Sequence, residues 1–196
     1  MIPIQPARAR PGGRAGAAQR RSQQLLAAAR GGDDWAFEEL LRLHRGPVYR
    51  IALGMLGDPA AAAEVCERVF LRLFSAVRRL PAERSVRAWL RRTTIHRCYD
   101  RLRGRPRRLD LKDFMPACMN PDGSVDHTRA DEWIGKSLQT LSPRQRAALI
   151  LTYQQGLSSL EAGEAMGCSP AAVQGIIVKI RRRLKDAVAG MAGGGF

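Results

Sequence analysis

The sequence predicts an all-α protein of two small helical domains, a four-helix lobe and a helix-turn-helix lobe, joined by a flexible linker. Three observations carry that prediction. Apolar residues recur at helical spacing through most of the chain, and no alternating strand pattern of useful length occurs. The periodic stretches open on Ser or Asp and close on Gly or Pro, the residues that start and stop helices. Between the two periodic blocks the charge changes sign, and turn sequences such as Met115-Pro116 and Asn120-Pro121-Asp122-Gly123 accumulate. These marks divide the chain into a disordered basic tail (1–24), a helical domain (25–106), an acidic linker (107–130), a helix-turn-helix domain (131–190) and a flexible end (191–196).

The first 32 residues hold six arginines and no acid. Up to Arg21 they are rich in Pro, Gly, Ala and Gln, too poor in apolar surface to fold. A first helix is expected from Ser22. Asp33 and Asp34 offer a cap for the second, whose apolar positions run from Trp35, Phe37, Leu40 and Leu41 through Val48, Ile51 and Met55 to Gly57. Pro47 stands inside it as a candidate break. Asp58-Pro59 pairs a cap with a first-turn proline and opens a third helix through Val65, Val69, Leu73 and Val77, with Phe70 and Phe74 expected to face inward. Ser85 caps a fourth, carrying Trp89, Leu90 and Ile95 and ending at Gly104 ahead of Pro106.

The second lobe is punctuated even more clearly. Ser142-Pro143 with Gln145 spells a capping box, and that helix runs to Gly156. Ser158 with Glu161 spells another, and Gly167 stops the helix almost at once. Ser169-Pro170 opens a longer helix with Val173, Ile177, Ile180, Leu184 and Val188 on one side and Arg181, Arg182, Arg183 and Lys185 near its end. Two short helices, a tight glycine turn and a longer basic helix form a helix-turn-helix. Ala162 and Gly163 supply the small residues needed where the second helix crosses the third.

Charge narrows the function. The chain of 196 residues carries a net +15 with a pI near 11.1, a balance that favours a polyanionic partner. Residues 78–108 hold twelve arginines against Glu83 and Asp100, a net of +10, with Trp89, His96 and Tyr99 interleaved. Arginine pairs bidentately with phosphates and aromatics stack on bases, so single-stranded nucleic acid suits this stretch, although Trp89 itself reads as a core anchor. Residues 109–136 reverse the sign, with six acids against three basic residues. No run approaches the roughly 20 apolar residues of a membrane span, and the amino-terminal arginines precede no apolar core of the secretory type. An organellar transit peptide is not excluded by composition. Cys66, Cys98, Cys118 and Cys168 lack paired spacing, which argues for a reducing compartment and against a disulfide or zinc framework. His96 and Cys98 could seed a metal site, but no second ligand pair accompanies them, and no metal or cofactor is expected. His44, His96 and His127 show no clustered carboxylates, and neither a phosphate loop nor a nucleophile motif occurs. An enzyme is not expected.

The segments VYRIALGMLGDPAAAAEVCERVFLRLF, VRAWLRRTTIHRCYDRLR and LSPRQRAALILTYQQGLS, in that order around an acidic linker, resemble the group IV (extracytoplasmic-function) sigma factors of bacterial RNA polymerase. These sigma-70 family proteins retain only the second and fourth conserved regions. The resemblance covers residues 35–188 apart from the linker. It implies that the helix around Glu64, Glu67, Arg68 and Arg72 docks on the clamp helices of the polymerase's largest subunit, with further contact to the flap of the second-largest. It implies that Arg87, Arg91, Arg92, His96, Arg97, Arg101 and Arg103 hold the melted strand of the minus-ten element. The helix bearing Ser169, Ala171, Ala172, Gln174, Gly175, Lys179 and Arg182 would enter the major groove of the minus-thirty-five element, and the linker would run toward the RNA exit channel. The chain departs from the family where Glu64 and Glu67 replace Asp and Gln, where His96 replaces Asn, and where Gln174-Gly175-Ile176 replaces Lys-Ser-Arg. Gln174 suits adenine and Ile176 a thymine methyl, so promoter preference does not carry over.

The expected function is therefore that of an alternative sigma factor: a cytoplasmic, non-catalytic subunit that binds core RNA polymerase and promoter DNA and is held by an anti-sigma factor. The alternative is a sigma-like interaction protein with weakened promoter reading that binds an anti-sigma factor or polymerase. A helix-turn-helix repressor alone would not need the first lobe.

Overall fold

The computed structural model describes residues 14–80, 85–103 and 141–192. Seven α-helices form the described chain: α1 (Arg14–Arg30), α2 (Asp34–Leu56), α3 (Pro59–Ala76), α4 (Val86–Leu102), α5 (Pro143–Leu149), α6 (Ser159–Met166) and α7 (Pro170–Ala192). A 3-10 turn, Val77–Arg79, follows α3, and the π-helical turn Ile150–Gln154 extends α5. The expected linker, the chain ends and Gly104-Arg105-Pro106 lie outside the described residues.

The caps sit where the sequence puts them. Asp33 accepts from the Ala36 N–H, Asp58 from those of Ala60 and Ala61, and Ser85 from that of Ala88. Ser142 with Gln145 and Ser158 with Glu161 form complete capping boxes, and Ser169 Oγ accepts from the Ala172 N–H at 3.2 Å. Gly57 and Gly167 close α2 and α6 with φ of 68° and 69°, a left-handed conformation in which a Cβ would be strained.

Two expectations need correction at the amino-terminal side. The stretch 14–24, expected to lack fixed structure, is part of α1, eight residues ahead of the expected start at Ser22. Its apolar content is low, but Leu25, Leu26 and Ala29 anchor the carboxy-terminal half of α1 in the core, and Arg21 reaches Glu39 at 3.0 Å. Pro47 does not break α2 either: the helix runs through it, because Leu40, His44, Val48, Ile51 and Met55 bury one continuous face on both sides of the proline. That burial outweighs the missing N–H bond.

The two helical units are not separate beads. One hydrophobic cluster runs from Leu25 and Leu40 through Val69, Leu90, Ile95 and Cys98 to Ala148, Leu151, Ala165 and Val173. Arg146, 4 % exposed, crosses the seam and donates to the Met55 carbonyl at the end of α2 and to the Leu141 carbonyl of its own lobe. Ile150 closes over Gly54 so tightly that a Cβ on that glycine would lie 2.8 Å from Ile150 Cδ1.

His44 is the other buried polar anchor, with Nε2 2.7 Å from Ser22 Oγ. Burial first, then the charges of Arg87 and Arg91, hold its pKa down to about 4. Folding therefore requires the neutral imidazole. Above pH 6.5, the ordinary value in an unfolded chain, His44 costs nothing. As the pH falls through 6.5 the unfolded chain binds a proton that the folded one refuses, and stability is lost progressively down to the folded value. Between pH 7.5 and 5 the wild-type chain is expected to lose about 2 kcal/mol more than His44→Gln, measured by urea unfolding at both pH values. Equal losses would remove His44 from the acid response.

Candidate nucleic-acid interface

The arginine helix α4 is fixed by its inner face: Val86, Leu90, Thr94, Ile95 and Cys98 are buried. Thr94 satisfies its hydroxyl on the Leu90 carbonyl at 2.7 Å. The remaining positions sort the predicted DNA contacts into two sets. Arg92, His96 and Arg103, at helical spacing, form one exposed strip. Arg87, Arg91, Arg97 and Arg101 are half-buried and turned away from it. Arg101 donates to Glu64 at 2.7 Å, and Arg103 pairs with Asp100 at 3.3 Å. Burial, followed by the neighbouring charge of Arg87, lowers the Arg91 pKa, with Glu161 opposing. His96 stands edge-on to Tyr99, ring centres 6.1 Å apart. Trp89 is half-buried beside the strip. Because His96 is exposed while Cys98 is buried, these two lie on different sides of α4 and do not converge on a metal.

On α3, Glu67, Arg68 and Arg72 are exposed as expected, whereas Glu64 is half-buried and holds both Arg68 and Arg101, each at 2.7 Å. Phe70 faces inward, but Phe74 does not: it is 61 % exposed and meets Phe37 edge-on at 5.2 Å. The reason is geometric. Residues four apart drift by about 40° around a helix, so a stripe centred on Val65, Val69 and Leu73 includes Phe70 at its edge and leaves Phe74 beyond it. Leu71, 62 % exposed, and Trp35, 65 % exposed, were also missed as surface residues; an unbroken run such as Val69-Phe70-Leu71 gives no signal that separates them from the core. Alongside, α2 and α3 enclose a groove walled by Leu41, Tyr49 and Phe70 and edged by Arg42, Arg45 and Glu67.

In the second lobe, Val173 and Ile180 seat α7 in the core, and Ile176 and Ile177 are half-buried. That orientation turns Ala171, Ala172, Gln174, Gly175, Val178, Lys179 and Arg182 outward together. Ser169 is committed to the cap of α7, and Arg181 to the Tyr153 hydroxyl at 2.6 and 2.9 Å. An added Cβ on Gly175 would meet nothing within 4 Å, so packing does not explain this glycine. Gly163 differs entirely, since its Cβ would lie 2.6 Å from the Cys168 carbonyl oxygen.

The arginine helix α4 also meets the opposite lobe. Arg92 donates to the Glu164 carbonyl at 3.4 Å, and a cleft of about 580 Å³ lies between Arg87, Arg91 and Arg92 on α4 and Glu161 and Glu164 on α6.

This layout has counterparts among known proteins. Residues 40–108 match the family model for sigma-70 region 2, and residues 131–184 match that for sigma-70 region 4. The ECF RNA polymerase sigma factor SigE of Mycolicibacterium smegmatis is 31% identical over 160 residues, covering 79% of this chain and 62% of the relative. SigM of Mycobacterium tuberculosis is 26% identical over 168 residues, covering 85% of this chain and 84% of the relative. The chain belongs to the extracytoplasmic-function sigma factors of the sigma-70 family. It spans 62% of the length of the M. smegmatis relative, so it matches part of that protein only. Among solved structures, CnrH in complex with the cytosolic domain of CnrY aligns with a TM-score of 0.67 at 23% identity, over 87% of this chain and 98% of that one. The Bartonella quintana sigma factor RpoE, in complex with the anti-sigma factor NepR, aligns with a TM-score of 0.59 at 21% identity, over 78% and 96%. These two show that the sigma-factor fold is shared. As an extracytoplasmic-function sigma factor, the chain carries its region 2 on α2–α4 and its region 4 on α5–α7.

Proposed function

We propose that this sigma factor directs transcription initiation by binding core RNA polymerase, holding the melted minus-ten strand along α4, and placing α7 in the major groove of the upstream element. The observation that carries the reading is the joint presence, in one chain, of the outward Arg92–His96–Arg103 strip and the outward face of a fully capped helix-turn-helix. The first offers guanidinium groups and a ring to phosphates and unstacked bases. The second offers Gln174, Lys179 and Arg182 to a groove, with Gly175 and the two alanines allowing close backbone approach. Polymerase docks on the exposed face of α3, through Glu67, Arg68 and Arg72 with Leu71 and Phe74 beside them. The chain supplies no catalytic centre, the chemistry being the polymerase's, and it acts in the cytoplasm. Among the described residues no helix is long and apolar enough to cross a membrane. An anti-sigma factor is the regulatory partner, a reading favoured by the Bartonella quintana structure, which holds such a partner, and by the exposed apolar side chains Leu71 and Phe74 on α3.

The test is transcription with core polymerase on a library of randomised promoters, with permanganate footprinting of melted thymines. Arg92→Ala and Arg103→Ala are expected to weaken opening roughly tenfold on all promoters alike and to lower the salt slope of binding by about 0.7 per lost phosphate contact. Gln174→Ala is expected to re-rank the promoters instead, since base contacts specify. If the wild-type protein binds polymerase and opens no promoter in the library, initiation is excluded. A sigma-like binding protein with weakened promoter reading then becomes the account.

A further inference from the structure

The side of α4 turned away from the exposed strip carries two cations that the fold does not neutralise. Arg87 and Arg91, about one helical turn apart, are both half-buried. Among the described residues neither makes an ion pair with a carboxylate. Glu161 bears on Arg91, but its carboxylate is committed to the Ser158 N–H and hydroxyl of the α6 cap, at 3.0 and 2.9 Å. The two guanidinium groups act on each other and on His44 instead. Burial and then the charge of Arg87 lower the Arg91 pKa, and burial and then both arginines lower that of His44. Charges exert such effects only at close range, so the three groups are neighbours.

They converge on a cavity of about 250 Å³ between α2, α4 and the turn that follows the π-helical segment. Val48 and Ile51 wall it, while His44, Arg87, Arg91 and Gln155 supply its polar groups. No carboxylate is among the described residues that line it. Two guanidinium forks and the Gln155 amide are donors, and that amide has no side-chain partner among the described residues. The imidazole has Nε2 at 2.7 Å from Ser22 Oγ, which leaves Nδ1 as its remaining polar atom. The volume equals that of about eight waters at roughly 30 Å³ each, room for a hydrated tetrahedral oxyanion.

We propose that this cavity binds a small phosphate-type oxyanion, inorganic phosphate or a phosphomonoester, on the Arg87 and Arg91 guanidinium groups and the Gln155 amide. Guanidinium forks match paired phosphate oxygens, and a dianion between two like charges turns their repulsion into attraction. Low solvation strengthens both terms, because charges interact more strongly away from bulk water. Arg87 and Arg91 belong to the first lobe and Gln155 to the second, so the bound anion also joins the lobes beside the Arg146 seam.

The experiment is equilibrium dialysis of full-length protein against radiolabelled inorganic phosphate in chloride buffer of fixed ionic strength, with thermal melts in parallel. The wild type is expected to bind a single equivalent saturably. At about ten times the dissociation constant, phosphate should raise the thermal midpoint by about 4 °C. Arg87→Gln is expected to weaken phosphate binding roughly tenfold, the effect of one lost charge-assisted bond. Gln155→Ala, on the other lobe, should weaken it a few-fold and serves if the arginine variant misfolds. Unlabelled competitors name the source of the group. Adenosine 5′-monophosphate that displaces the label better than phosphate assigns the site to a phosphomonoester, and one that displaces it less well assigns it to free phosphate. Displacement by oligodeoxythymidine at equal phosphate concentration gives the cavity to a DNA strand and overturns the proposal. Uptake of several equivalents without saturation means an adventitious ion only, on a chain of net +15, and overturns it too. So does equal stabilisation of wild type and both variants by phosphate, which is the general effect of a surface-excluded salt.

Discussion

Valine in place of Gly163 is expected to destabilise the helix-turn-helix by about 3 kcal/mol, the upper end of what overpacking costs. A Cβ there would lie 2.6 Å from the Cys168 carbonyl oxygen and 3.4 Å from Pro170 N and Ser169 C. All three are backbone atoms of the turn, which cannot swing aside as a side-chain tip can. The same turn is tied down by the Cys168 N–H bond to the Gly163 carbonyl at 2.9 Å and by the left-handed Gly167. Relief would require pulling α7 off α6, taking the outward face of α7 with it. For a chain of this size the thermal midpoint should fall by about 10 °C. Gly175→Ala is the matched control, because its Cβ enters open space. That change should raise stability by up to about 1 kcal/mol through helix propensity alone. Thermal and urea melts of both variants decide the matter, and equal effects at the two glycines would contradict the packing argument.

Loss of the Arg146 guanidinium is expected to cost a similar amount for a different reason. Burial depresses its pKa, with Cys98 opposing, yet it remains a cation that donates across the seam to the Met55 carbonyl and within its lobe to that of Leu141. The Met55 carbonyl belongs to the last turn of α2, where carbonyls lack helical partners and the helix end is negative. Bonds from a charged donor contribute about 1.5–3 kcal/mol each, partly offset by the cost of burying the charge. For Arg146→Ala these terms leave a loss of about 3 kcal/mol once the vacated volume is included. Arg146→Lys keeps the charge but not the fork that reaches two carbonyls, so it should recover less than half. Urea unfolding of the three proteins measures this, and an alanine variant as stable as wild type would show that the seam does not depend on the arginine.

Local rules made most of the helices legible. Asp33, Asp58, Ser85, Ser142, Ser158 and Ser169 each announce a helix start because a short side-chain oxygen is the nearest acceptor for the orphan N–H groups of a first turn. Gly57, Gly156 and Gly167 announce ends because the left-handed conformation there favours a residue without Cβ. The arginines of α4 and the outward residues of α7 were likewise recoverable, since charge and helical spacing are properties of the chain itself. The reach of α1 back to Arg14 was not legible, because Leu25, Leu26 and Ala29 gain their stabilising contacts from α2 and its neighbours rather than from local propensity.

The sequence by itself determined the helical class, the caps, the basic strip and the membership of the sigma-70 family. Only tertiary structure decided that Phe74 lies outside, that Glu64 clasps Arg101, and that α6 lies across α4. Those outcomes depend on rotations of tens of degrees about helix axes and on contacts between residues 70 or more positions apart, such as Arg92 with Glu164 and Arg146 with Met55. Local propensity is insensitive to both. Packing fixes them, because only in the assembled core do the close seating of Ile150 on Gly54 and a buried guanidinium on a helix end acquire an energy.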